Sequence, residues 1–438
     1  MLALLLLLQS APAPDPLKAF VDEALGANRA LLQARLAARE SEAGVRQARG
    51  LLLPSLGLDL RWTEQSGGLD LGELINPAYA ALNQVIGESR FPTDLSIRIP
   101  FRQDFRARVI QPLFDPSAIA AQGLAAGRRD AARGQADLSA RAVAAAVQLA
   151  YLGYASRSRG IEVLESAVRI LEENLRVSER LVSSGTATPD AVSRARADLA
   201  ETRQAILEAS RDQQAARRLV NELRARSLDE RIDLLPDSLL VFPDLPPLDA
   251  ALAGARARHE GLTIADAAIR AAGAERRLAT AGFLPSIAVA ADYGFTGHDL
   301  RFSRDNDLMA GAVILQWNLL RGGRDRARRD EATLALERAR IARDEREAAI
   351  EREARDAWDA AATARDAVNA ALARLTSAGR TFELVRRRYE EGLASHLEFT
   401  EARSALTSAG LNATITRYQA AARYVELERA AALRVLDD

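Results

Sequence analysis

The segments of this chain run through the same order twice, and that repeat limits its architecture more than any other feature. Gly50-Leu51-Leu52-Leu53-Pro54-Ser55-Leu56 returns as Ala281-Gly282-Phe283-Leu284-Pro285-Ser286-Ile287. Val109-Ile110-Gln111-Pro112-Leu113-Phe114 returns as Ile314-Leu315-Gln316-Trp317-Asn318-Leu319, and Ser183-Ser184-Gly185-Thr186-Ala187 as Glu390-Glu391-Gly392-Leu393-Ala394. Each copy reads helix, Leu-Pro-Ser, alternating segment, Gln-x-x-Leu/Phe, very long helix, glycine turn, helix. Self-similarity on this scale predicts two equivalent units side by side. The first is 14–226 and the second 248–438, joined by a proline- and leucine-rich linker over 227–247.

From about Ser117 to Val182, and again from about Asp325 to Glu391, there is no proline and little glycine. A single helix over either stretch would be about 100 Å long. In the second, Ile350, Ala354, Ala357, Ala361, Ala364, Val368, Ala371, Leu375, Ala378, Phe382, Val385 and Tyr389 alternate steps of four and three, which is a heptad seam. In the first, Ile161, Leu164, Val168, Leu171, Leu175 and Val182 keep that rhythm with Ser178 as an interruption, and Val163, Ile170 and Val177 add a second face. A helix with two seams has neighbours on two sides. Gly185 and Gly392 are suited to the left-handed turn that ends a helix. Return helices are expected over about 190–226 and 396–434, capped by Thr188 and Ser395. One further helix per copy is expected over 16–50 and 248–281.

After each Leu-Pro-Ser the period drops to two. Leu56, Leu58, Leu60 and Trp62 alternate with Ser55, Gly57, Asp59 and Arg61; Ile287, Val289, Ala291, Tyr293 and Phe295 alternate with small or polar residues. The chain returns through Phe101–Phe114 and Ala310–Leu319, where Gly311, Val313, Leu315 and Trp317 form another apolar row. About ten residues of such alternation is the length of a membrane-spanning strand. It also fits a soluble sandwich with one wet face. The hairpins are placed at 54–114 and 285–320. Four strands cannot close a membrane barrel, whereas three copies give twelve, an allowed even number.

Composition narrows the function. The charged fraction is 27% but the net charge is only −1, so the chain as a whole is not marked for nucleic acid. There is no cysteine, hence no disulfide, thiolate metal site or cysteine nucleophile. His259, His298 and His396 are too scattered for a ligand cluster, and no phosphate loop or Ser/His/Asp arrangement stands out, so neither cofactor nor catalysis is expected. Residues 1–13 read as a leader, with an apolar run Leu2–Leu8 and a small-residue site Ala11-Pro12-Ala13. The run is short and lacks a basic start, so an earlier true start or a plain apolar tail both remain open. No run of about 18 apolar residues follows, so no transmembrane helix is expected.

Together the two Leu-Pro-Ser strand starts, Gln111–Asp115, Arg321-Gly322-Gly323-Arg324 and the glycine turns make the chain resemble the outer-membrane efflux proteins, the TolC-like channel-tunnels. The resemblance covers essentially everything after the leader. It implies a fold that is mainly α with membrane β, a homotrimer whose long antiparallel hairpins form a periplasmic α-barrel below a 12-stranded outer-membrane barrel. It implies passive export, in efflux or type I secretion, through partnership with a periplasmic adaptor (membrane fusion) protein and an inner-membrane pump. The adaptor-contacting tips would be Gly185, Thr186, Gly392 and Leu393. Outer-membrane lipid would meet Leu56, Leu58, Leu60, Trp62, Ile287, Val289, Tyr293, Val313, Leu315 and Trp317. Glu398 and Glu401 match the family's paired acids that ring the pore constriction; acids in a first helical turn also simply complement the helix dipole. The family's C-terminal addition to the equatorial belt is not matched after Asp438. The alternative is a periplasmic coiled-coil scaffold with no channel, which would gain nothing from the apolar row. An RNA-binding role for Arg321-Gly322-Gly323 is disfavoured by the balanced charge around it.

Overall fold

The first helical stretch is broken by one residue, and the break recurs in the second copy. In the computed structural model, which describes residues 17–64, 69–99, 103–186, 188–236, 244–297 and 302–434, α1 (Lys18–Ala27) and α2 (Arg29–Gly50) flank Asn28, and α6 (Leu248–Arg258) and α7 (Glu260–Ala281) flank His259. The single helices expected over 16–50 and 248–281 are therefore each two. Asn28 (φ −63°, ψ 124°) and His259 (φ −70°, ψ 122°) have the same extended backbone. Each turns the chain with its own side chain as acceptor. Asn28 Oδ1 takes the N–H groups of Ala30 (3.0 Å) and Leu31 (3.2 Å), and His259 Nδ1 takes that of Gly261 (3.0 Å). The leader, linker residues 237–243, His298, Ala187 and the strand start at Phe101 lie outside the described residues.

The chain divides into two compact units, one of Met1–Glu40, Asp130–Ala268 and Ala339–Asp438, the other of Ser41–Arg129 and Ile269–Arg338. The first is helical. It holds most of α4 (Pro116–Ser183) and α8 (Arg324–Glu390), with α5 (Pro189–Leu223) and α9 (His396–Ala430) returning beside them. The return helices end a few residues sooner than their sequence period suggests. All twelve heptad positions from Ile350 to Tyr389 are buried or half-buried, as a seam with neighbours must be. Near its end Phe382, Tyr389, Phe399 and Ala402 make one apolar cluster against Ile170 and Val177 of α4. Ser178, the break in the α4 seam, is buried, and its hydroxyl has no partner among the described residues. The linker is fastened by aromatic hydroxyls and an indole. Leu235 N–H donates to Tyr151 Oη (2.7 Å), Tyr154 Oη to the Ile232 carbonyl (3.1 Å), and Trp358 Nε1 to the Pro246 carbonyl (2.8 Å).

The second unit carries the strands. β1 (Ser55–Trp62), β4 (Gln103–Phe114), β5 (Ser286–Gly297) and β6 (Asp307–Gln316) form one antiparallel sheet in the order β1-β4-β5-β6. Each copy's hairpin is thus local, and the copies join through β4 and β5. A β-bulge falls between Pro112 and Phe114. It lies beyond the residues that pair with β1, so the missing N–H of Pro112 costs no ladder bond there. Between β1 and β4 the chain makes the short ladder β2 (Leu69–Asp70) with β3 (Arg98–Ile99) and the helix α3 (Leu71–Ile86). Asn76 and Asn83 fasten that excursion, each side chain exchanging two hydrogen bonds with the backbone, at Leu95 and Phe91 respectively.

Candidate pore and membrane surface

Strand register decides which side chains share a face. Leu56 pairs with Val109, Leu58 with Ala107, Leu60 with Phe105 and Trp62 with Gln103. Across the sheet Ala107 meets Tyr293, Gln111 meets Val289 and Phe114 meets Ile287. Ile287 pairs with Leu315, Val289 with Val313 and Tyr293 with Met309. Because paired residues point the same way, nine of the expected lipid-facing residues lie on one face. Trp317 is one step past β6, with its indole donating to the Phe283 carbonyl at 3.0 Å. The face is open in the single chain: Leu56, Leu58 and Leu60 are 73%, 70% and 72% exposed. The opposite face carries Asp59, Arg61, Asp104, Arg106, Arg108 and Asp292. Arg108 holds Asp292 in a two-pronged contact (2.7 and 3.1 Å), and Arg106 reaches Asp104 at 2.5 Å. One face is largely apolar, with Gln103, Gln111 and Asp307 as its polar members, and the other is charged. In sequence order the outer strands β1 and β6 both have an unpaired edge among the described residues.

Both glycine turns are built alike. Gly185 (φ 72°) sends its N–H to the Val182 carbonyl (3.0 Å) and Thr186 to Leu181 (2.9 Å); Gly392 (φ 75°) bonds Tyr389 (3.0 Å) and Leu393 bonds Arg388 (2.7 Å). This paired 5→2 and 6→1 pattern is the Schellman closure, whose left-handed residue favours glycine. Leu393 is left 66% exposed. Beyond the turns the copies differ. Thr188 precedes α5 without a side-chain cap and donates instead to Asp190. Ser395 and Glu398 make a capping box, in which Ser395 Oγ takes the Glu398 N–H (3.2 Å) and Glu398 Oε2 takes the Ser395 N–H (2.7 Å). The Ser395 backbone N–H, then its hydroxyl, hold the exposed Glu398 carboxyl below its ordinary pKa. Glu401 is exposed one turn on. The Ser-x-x-Glu spacing is the signal that would have announced the box.

The sequence model of the outer membrane efflux proteins matches residues 20–223 and 251–433. The chain belongs to that family. No curated protein matched it. Among solved structures, this efflux protein is similar to VceC of Vibrio cholerae (18% identity, 95% of each chain covered, TM-score 0.75). It is similar to the open state of MtrE from Neisseria gonorrhoeae (19%, 95% of this chain and 89% of that one, 0.76). A membrane protein from Pseudomonas aeruginosa gives 21%, 95% and 93%, and 0.74. At these identities the likeness establishes the fold. The two stretches matched by the family model straddle the linker, so its internal pairing coincides with the repeat. The efflux protein is thus an outer-membrane channel protein and not an enzyme.

Proposed function

We propose that this chain is the outer-membrane duct of a tripartite efflux or type I secretion system, working without catalysis as a homotrimer. The observation that carries the reading is the sheet itself. It has one largely apolar face, one charged face and two open edges, and a water-soluble monomer would leave the apolar face in water and both edges unpaired. Three copies joined edge to edge make twelve strands, with Leu56, Leu58, Leu60, Trp62, Ile287, Val289, Tyr293, Val313, Leu315 and Trp317 toward lipid and the ion pairs toward a watery lumen. The glycine turns, with Thr186 and Leu393 exposed, are the surface offered to a periplasmic adaptor and through it to an inner-membrane pump. Fractionation and planar-bilayer recording test this directly. A detergent-stable trimer that conducts supports it, and a soluble non-conducting monomer overturns it.

Glu398 and Glu401 are proposed to ring the pore. They lie three residues apart on α9, on one helix face, and threefold symmetry gathers six carboxylates about one axis. Such a ring favours cations. Glu398→Gln keeps an oxygen acceptor for the capping box while removing the charge. The double variant with Glu401→Gln is therefore expected to lose cation selectivity and conduct more, with α9 intact by circular dichroism. Unchanged selectivity would show that the carboxylates serve the helix alone.

A further inference from the structure

Charge is distributed unevenly about the sheet. At the end where β1 and β5 begin and β4 and β6 finish, the ten residues outside each strand hold seven arginines against two aspartates. Arg328 and Arg329 follow directly, with Asp330 and Glu331 after them. The connections at the other end, 63–102 and 298–306, hold seven acids against five arginines. A chain of net charge −1 has thus concentrated arginine below one rim of its apolar face. The link to that face is physical. Trp317 continues the Val313 and Leu315 row, its indole rests on the Phe283 carbonyl (3.0 Å), and the Arg329 guanidinium stands 5.8 Å from the Phe283 ring centre. Leu319 and Leu320 are 78% and 86% exposed between the row and the arginines. Arg321 and Arg329 are ion-paired with Asp325 and Asp330, whereas exposed Arg324, Arg326 and Arg328 have no ion-pair partner among the described residues.

We propose that these arginines bind the phosphates of anionic phospholipid headgroups in the inner leaflet of the outer membrane, an inference resting on the channel reading above. Charge complementarity at the membrane boundary favours this occupant. The guanidinium fork matches a phosphate diester in two prongs, and the neighbouring tryptophan and leucines supply the acyl-chain side of the site. The test compares the purified protein with Arg324→Gln/Arg328→Gln/Arg329→Gln by native mass spectrometry, titrating phosphatidylglycerol and, separately, phosphatidylcholine. The unaltered protein is expected to hold the anionic lipid tenfold tighter or more, with the preference shrinking between about 50 and about 500 mM salt. Removing three juxtamembrane arginines is expected to cost roughly fivefold each, on the order of a hundredfold together, and lysine at the same positions should restore most of it. Inorganic phosphate at equal concentration should not displace the lipid. Equal binding of both lipids by the unaltered protein, undiminished binding by the triple variant, or displacement by inorganic phosphate would overturn the inference, provided both proteins still form trimeric pores. Loss of pores and trimers in the unaltered protein would instead remove the channel reading, and this inference with it.

Discussion

Replacing His259 with asparagine should make the protein less sensitive to mild acid, because the two copies solve one structural problem with different side chains. Asn28 caps α2 with an amide oxygen that does not titrate. His259, 3% exposed, caps α7 with Nδ1. Only the neutral ring can accept there, since protonation turns Nδ1 into a donor facing the Gly261 N–H. Burial of the imidazole, with Arg346 and Arg141 adding to it against Glu260 and Glu353, lowers the His259 pKa. Its position at a helix N-terminus opposes a cation as well. The sign follows. The folded protein refuses a proton that the unfolded chain accepts, so the contribution is complete above the ordinary pKa of about 6.5. It is lost as pH falls below that value toward and through the lowered folded one. The slope is at most about 1.4 kcal/mol per pH unit and copy, comparable with the roughly 1 kcal/mol of a helix cap. Thermal unfolding followed by circular dichroism at pH 8, 6.5 and 5.5 reads it. The unaltered protein should lose more of its midpoint between pH 6.5 and 5.5 than His259→Asn. His259→Ala should lose about 1 kcal/mol at pH 8, a deficit that shrinks as the unaltered protein loses the same cap in acid, and Asn28→His should add pH dependence in the first copy. Parallel profiles for the unaltered protein and His259→Asn would refute the argument.

Three further substitutions probe the packing. Ala225, exposed at the end of α5, holds φ 54° with the Arg226 N–H on the Asn221 carbonyl (2.8 Å), so Ala225→Gly should stabilise by about 1 kcal/mol, seen as a higher unfolding midpoint. A methyl on Gly127 would stand 2.8 Å from the Ala271 backbone, so Gly127→Ala should push α4 and α7 apart at about 1–3 kcal/mol, read by denaturant titration. Arg141, nearly buried, grips Glu260 through Nε (2.9 Å) and Nη2 (2.7 Å) and the Arg434 carbonyl through Nη1 (2.9 Å). Burial opposes ionisation of Glu260, but these bonds outweigh it and hold its pKa down. Arg141→Met should therefore cost about 3–5 kcal/mol at neutral pH, with partial recovery in Arg141→Met/Glu260→Gln; equal losses in the single and double variants would contradict this.

What the sequence made legible is what a period can carry. The heptad steps from Ile350 to Tyr389 and the alternation from Leu56 to Trp62 are local, and each marks one face of one element. The breaks at Asn28 and His259 gave no such sign, because neither is glycine or proline and good helix formers lie on both sides. Only superposing the copies brings the two residues to one position. The pairing of β4 with β5, from Gln103 opposite Gly297 to Phe114 opposite Ile287, joins strands more than 170 residues apart and is set by collective packing rather than by any short motif. Glu398 shows how a capping role, which the geometry bears out, and a proposed pore role can call on one carboxylate. As a cap it spends one carboxylate oxygen on the Ser395 N–H, and that same bond lowers its pKa. A ring of pore acids needs carboxylates that stay charged although threefold symmetry crowds like charges together. The capping box supplies that bias, so under the proposed pore ring, holding the helix end and keeping the charge would reinforce each other at this residue.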